Sequence, residues 1–182
     1  MTMDDIARQL GISKKTIYKQ VRDKADLIRQ VIELDIRQNR DFIKGLDSSG
    51  DNAIEDLVTI NERMHRQRRY LSPTFYYDLK KYYPALYKRW IKEKRSHLYQ
   101  IIVANINKGK SEGLYRKELV GTVIAGLYVS RMERLEIEDS MHEQESMSDD
   151  AIREVFTYHL HGICNQNGLN YLENQLEYTH EK

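Results

Sequence analysis

The chain has 182 residues, 40% of them hydrophobic and 31% charged, with 29 Lys and Arg against 28 Asp and Glu. That length suits one mid-sized domain or a small module joined to a larger one, and it supports a real core. A formal net charge of +1 excludes a polyanion binder that relies on whole-chain charge, and one cysteine, Cys164, excludes an intramolecular disulfide and fits a reducing compartment. No apolar run reaches the length of a membrane span, and Met1-Thr2-Met3-Asp4-Asp5 lacks the basic and apolar parts of a signal peptide, so a cytoplasmic protein is expected. Only 2 Pro and 9 Gly occur, which favours long helices. The expected class is all-α.

In chain order, Thr2 reads as an N-cap, with Asp4 and Asp5 in a first turn that favours negative charge. Ile6, Ala7 and Leu10 follow on one helical face, and Gly11 ends that helix. Ser13 caps a second, short helix holding Ile17 and Tyr18. Asp23 caps a third, with Asp26 at capping-box spacing, and Leu27, Ile28, Val31, Ile32 and Leu34 carry it to about Lys44. Residues 45–51 read as the clearest loop of the chain. A helix with Ile54, Leu57, Val58 and Met64 comes next, and Pro73 and Pro84 read as helix starts. The helix from Pro84 stops around Glu112 and Gly113. Two more amphipathic helices are expected, at about Val120–Leu135 and Asp150–Leu169, separated by an acidic loop.

Residues 1–24 carry Arg8, Lys14, Lys15, Lys19, Arg22 and Lys24 against Asp4, Asp5 and Asp23. A small basic segment on a near-neutral chain points to nucleic acid more than overall charge does. The spacing there has a physical reason. Two helices that cross steeply need a small residue at the crossing, supplied by Ala7, and a turn with positive φ, supplied by Gly11. Ile6, Leu10, Ile12 and Ile17 are expected to form the shared underside, leaving Lys14, Lys15, Thr16, Tyr18 and Lys19 outward on a helix that can enter a major groove.

The run from Met3 to Tyr18, and its continuation Asp23-Lys24-Ala25-Asp26-Leu27, resembles the signature of the TetR family of transcriptional regulators. Gly109 to Arg116 resembles the family's break before its last two helices, and those helices resemble its dimerisation pair. Two features depart from the pattern. Gln20 and Val21 stand where aromatic residues are usual, and the family's first helix is missing ahead of the motif, which implies a start upstream of Met1 or a member with less core in its DNA-binding part. The resemblance implies a DNA-binding part over 1–44 with its connecting helix, and a regulatory and dimerisation part over 45–182. It implies that Thr2, Tyr18 and Lys24 contact phosphates, that Lys14, Lys15, Thr16 and Lys19 reach into the groove, and that Ser13 belongs to the same DNA-facing set. The implied partners are a near-palindromic double-stranded operator, a second copy of the chain and a small-molecule effector, with repression the usual output.

Tyr70, Phe75, Tyr76, Tyr83, Trp90, Tyr99 and Tyr128 are the candidates for lining a ligand pocket, against the alternative that these rings fill the core. The same stretch is basic, from Arg63 to Arg95, which reads first as a solvated surface and second as an anionic effector's site. His159 and His161 are two apart and point to different sides of a helix, His142-Glu143 lacks a second histidine, and no glycine-rich phosphate loop occurs. No enzyme, metal or cofactor is expected. A helical adaptor, or a constitutive DNA-binding dimer without an effector, is the alternative function.

Overall fold

A computed structural model describes residues 2–70, 73–141 and 149–180, with side chains placed for 2–46, 50–67, 74–131 and 150–174. It is helical throughout: α1 Met3–Leu10, α2 Lys14–Tyr18, α3 Lys24–Ser49, α4 Ala53–Tyr70, α5 Pro73–Tyr82, α6 Pro84–Ser111, α7 Gly121–Met141, α8 Asp149–Ile163 and α9 Gln166–His180. The only extended pairing among the described residues is an isolated antiparallel bridge between Tyr115 and Cys164.

Three apolar clusters hold the described residues together. Met3, Ala7, Ile17 and Val21 are buried between α1, α2 and the turn after them, with Ile6 and Leu27 packed on. Ile32 and Ile36 of α3 meet Leu79 of α5 and Trp90 of α6 in the second cluster. The largest joins α4, α6, α7 and α8 around Ile54, Leu57, Ile102, Ile106 and Phe156, and takes in Leu46 from the end of α3. The N-terminal underside thus differs from expectation. Leu10 and Ile12 are 63% and 41% exposed, because the crossing is centred on Met3 and Ala7 and both residues flank the Gly11 turn outside it.

The loop expected at 45–51 is a correction of the same kind. The third helix continues through Gly45 to Ser49 and stops at Gly50, whose φ of 78° makes the left-handed cap. Glycine inside a helix costs about 1 kcal/mol relative to alanine. Burial of Leu46 in the main core offsets that, so the turn containing Gly45 stays helical. The helix is continuous across residues 44 and 45, where the two parts were expected to divide.

The last expected helix is two helices. Cys164 pairs with Tyr115, Arg116 N donates to the Ile163 carbonyl at 3.0 Å, and Asn165 N donates to the Leu114 carbonyl at 3.0 Å. These bonds pull the chain out of helical geometry at 164–165. Asn165 then caps α9, its Oδ1 accepting from Gly168 N at 3.1 Å. The acidic stretch after α7 begins later than expected, since that helix runs to Met141. His142-Glu143 lies outside the described residues.

The start of α4 is fastened to the end of α6. Asn52 Oδ1 accepts from Ile54 N and Glu55 N, and Glu112 Oε2 accepts from Ala53 N at 2.8 Å. Lys108 Nζ reaches Asp56 Oδ2 at 2.6 Å. Tyr115, fully buried, donates to the Ala53 carbonyl at 3.0 Å and to Asn105 Oδ1 at 3.1 Å. With Asn52 N donating to Glu55 Oε2 at 2.9 Å, all four free N–H groups at the start of α4 are satisfied by side chains.

Candidate functional site

The N-terminal module is built by local caps. Thr2 Oγ1 accepts from Asp5 N at 3.2 Å while Asp5 Oδ2 accepts from Thr2 N at 2.7 Å and from Thr2 Oγ1 at 2.8 Å. Those bonds from Thr2, backbone first, hold the Asp5 carboxyl below the usual carboxylate range. Gly11 takes φ 63°, and its N–H closes the first helix on Arg8. Ser13 Oγ accepts from Thr16 N at 3.0 Å and lies 2.8 Å from Thr16 Oγ1, so these two side chains start α2 together.

Beyond that helix, Asp23 caps α3 by accepting from Asp26 N at 2.8 Å. Asp26, only 8% exposed, turns back to accept from Arg22 N at 2.8 Å and pairs with Arg29 at 2.8 Å. The bond from Arg22 N is the main reason that its carboxyl lies below the usual range. It locks the turn between the short second helix and the long third one.

Around this frame Thr2, Ser13, Lys14, Lys15, Thr16, Tyr18, Lys19 and Lys24 are all exposed, with only Ile17 of the α2 segment turned inward. Lys14 differs from its neighbours. Its Nζ lies 3.0 Å from Asp4 Oδ2, across the turn, and that bond raises its pKa.

Above the module, a cavity of about 90 Å³ lies between α3, α4 and α6, with Val129 of α7 at its edge. Phe42, Ile43, Ile60, Met64, Leu98 and Ile101 make its apolar wall. Its polar lining is Asn39, Arg63, Gln67, Lys94, Arg95 and His97, with no acidic side chain. A wider cleft of about 880 Å³ opens beside it along α6 and α7 and shares Ile91, Arg95 and Val129 with it.

Within the cavity wall, Asn39 Oδ1 accepts from Arg63 Nη2 at 3.3 Å and from Gln67 Nε2 at 3.0 Å. Asn39 Nδ2 donates to Asp35 Oδ2 at 3.2 Å, the oxygen that also accepts from Trp90 Nε1 at 2.8 Å. A polar relay therefore runs along α3 from the cavity to the second apolar cluster.

Of the expected pocket residues, Tyr99 alone among the described ones lines either space, in the outer cleft. Phe75, Tyr76 and Tyr83 pack with Trp90 in the α3–α5–α6 cluster, Tyr76 stacked on the indole at 5.4 Å and Phe75 edge-on at 6.0 Å. Tyr128 is buried in the main core, 4.9 Å from His159. The side chain of Tyr70 lies outside the described residues. The rings pack together because α5 folds back on α6 and brings Phe75 and Tyr76 against Trp90. The cavity-lining Asn39, Arg63 and Gln67 were not singled out from sequence as a set. Their signal was polar residues on apolar helical stripes: Asn39 three and four before Phe42 and Ile43, Arg63 three after Ile60, Gln67 three after Met64.

No described helix is long and apolar enough to cross a membrane, and no group of three or more His, Cys, Asp or Glu is placed to hold a metal among the described residues.

Residues 1–31 match the sequence profile described as bacterial regulatory proteins, tetR family. No curated protein matches the chain. Solved structures share the fold at low identity. A gamma-butyrolactone receptor aligns with a TM-score of 0.62 at 16% identity, over 100% of this chain and 86% of that one. A protein described as a transcriptional regulator from Saccharomonospora viridis, in complex with choline, aligns with a TM-score of 0.64 at 19% identity, over 90% and 87%. A ketosteroid transcriptional regulator of Mycobacterium tuberculosis aligns with a TM-score of 0.59 at 14% identity, over 91% and 86%.

Proposed function

We propose that this chain, a member of the tetR family of bacterial regulatory proteins, is a cytoplasmic, effector-responsive transcriptional repressor that binds a near-palindromic operator as a homodimer. Members of the family act by binding DNA and are not enzymes.

The observation that carries the reading is the course of α3. It begins at the locked turn behind α2, and its later residues Asn39, Phe42 and Ile43 line the cavity. A molecule entering the cavity therefore acts on the same rigid element that sets the recognition helix. In this reading residues 1–44 bind DNA and residues 45–182 sense and dimerise. Lys14, Lys15, Thr16 and Lys19 enter the major groove, while Thr2, Tyr18 and Lys24 contact phosphates and Ser13 holds the helix start.

Dimerisation uses the outer face of α7 and α8. Val123 and Leu127, one turn apart, are 56% and 64% exposed, and Tyr158 is 79% exposed. An apolar face of this kind on paired helices is covered by a two-fold copy of itself. Two recognition helices then meet successive major grooves, and an effector that moves α3 changes their spacing. To empty the operator it must favour the displaced state by several kcal/mol.

The neighbours' ligands differ, and choline in particular is a poor match to a cavity wall with Arg63, Lys94, Arg95 and His97 and no carboxylate. The space is half open, so it leaves room for an effector without closing over one, whereas a solid core there would favour the constitutive alternative.

The test is an anisotropy titration of the full chain against DNA from around its own gene at two salt concentrations, followed by a selection from genomic fragments. Dimeric binding to one near-palindromic site is expected. Salt-sensitive binding without sequence preference in both experiments removes the regulator reading in favour of the adaptor.

A further inference from the structure

Arg63 is an unusual cation. Its Nη2 donates to the Gln38 carbonyl at 3.2 Å and to Asn39 Oδ1 at 3.3 Å, and its guanidinium lies 4.4 Å from the centre of the Phe42 ring. Its Nε is buried and has no hydrogen-bond partner. It makes no ion pair among the described residues, and burial is the chief cause pushing its pKa below the usual guanidinium range. Asp35, the carboxylate that acts on it, already accepts from Trp90 and Asn39. Arginine stays protonated regardless. The cavity wall thus holds a half-buried positive charge with no carboxylate paired to it among the described residues, an arrangement that an anion in the cavity would stabilise.

The geometry points to a small alkyl carboxylate as the occupant of this cavity, its oxygens on Arg63 and its chain along Ile60, Met64 and Leu98 toward Ile91. A carboxylate matches the single charge and planar fork of one guanidinium, whereas phosphate asks for more donors. The volume of about 90 Å³ takes a head group and a few methylenes, since a cavity of about 10–15 Å³ on the same measure already holds one water. The adjoining cleft at Ile91 and Val129 takes the rest of a medium-length chain. This assignment names the effector class of the proposed regulator and rests on that reading only for its consequence at DNA.

The relay from Arg63 through Asn39 and Asp35 ends on Trp90, the sole tryptophan. Occupancy is therefore readable as a change in intrinsic fluorescence. The full chain, without DNA, is titrated with octanoate, and with octan-1-ol and octyltrimethylammonium as neutral and cationic controls. Calorimetry supplies the affinities. Saturable octanoate binding is expected, at least about tenfold tighter than either control, and Arg63→Gln should lower it by about tenfold or more. Arg63→Lys, which keeps the charge, should retain the preference for octanoate at reduced affinity, and decides the matter if Arg63→Gln does not fold.

Equal binding of octanoate and octanol overturns the assignment. So does octanoate binding that Arg63→Gln leaves unchanged, or no saturable octanoate binding at millimolar concentration. A separate operator titration keeps the two readings apart. Operator binding without octanoate binding removes the effector class and leaves the regulator, whereas octanoate binding without operator binding does the reverse.

Discussion

Trp90 Nε1 donates a 2.8 Å hydrogen bond to Asp35 Oδ2, joining α6 to α3 across 55 positions of sequence. The indole is 1% exposed, so its N–H has no water to turn to. Asp35→Ala should destabilise the protein by about 1–3 kcal/mol, the cost of an unpaired buried donor, and shift the fluorescence maximum. Asp35→Asn keeps an acceptor and should cost less. Urea denaturation followed by tryptophan emission checks both, and equal midpoints for the two variants would contradict the assigned role.

Gly109 is fixed by packing against Tyr115. A Cβ at 109 would lie 2.1 Å from the Tyr115 ring, and that ring cannot retreat without breaking its bonds to Ala53 and Asn105. Gly109→Ala should therefore cost about 1–3 kcal/mol despite alanine's better helix propensity. A thermal midpoint equal to wild type would mean that the ring has another seat.

His159 gives the stability a pH dependence. Burial, and secondarily Arg131, lower its pKa to about 4 from 6.5. The folded protein keeps the ring neutral, while the unfolded chain takes up a proton below 6.5. Its contribution is complete above 6.5 and is lost as pH falls toward 4, on the order of 3 kcal/mol in total. Unfolding free energies at pH 7 and pH 4.5 should differ less in His159→Gln than in wild type.

Lys15 and Lys14 should behave differently at DNA. Each phosphate that a lysine neutralises adds about 0.9 to the steepness with which log affinity falls against log salt. Lys24, assigned to a phosphate, should on replacement by alanine flatten that line by about this amount and weaken binding at every sequence alike, whereas Lys15→Ala, at a groove position, should weaken the operator more than other sequences. Lys14 is held by Asp4 at 3.0 Å. Asp4→Asn should release it and remove a negative charge from the interface, so operator affinity should rise. A fall in affinity would mean that the pair positions Lys14 rather than restrains it.

Leu127 is a test of the dimer face. Being 64% exposed in the single chain, it can accept a charge there without cost to the fold. Leu127→Glu should leave the helical content unchanged, shift sedimentation toward the monomer, and weaken operator binding in proportion. A stable dimer would place the interface elsewhere.

The sequence by itself determined the N-terminal module, because its determinants are local. Thr2, Ser13 and Asp23 each accept from a backbone N–H three residues on, Gly11 has no Cβ to oppose a positive φ, and Ala7 is small wherever it is placed. Proline at 73 and 84 marked the starts of α5 and α6 for the same reason. The tertiary structure decided what depends on partners distant in sequence. The helix passes Gly45 because Leu46 finds the core, and it breaks at Cys164 because Tyr115 lies opposite. Phe75, Tyr76 and Tyr83 joined the cluster around Trp90 because α5 folds back on α6, while Asn39, Arg63 and Gln67 became a cavity wall because two helices bring them together. An arginine read as one more solvated cation is thereby half-buried in that wall, and only the packing of α3 against α4 reveals that no ion pair among the described residues neutralises it.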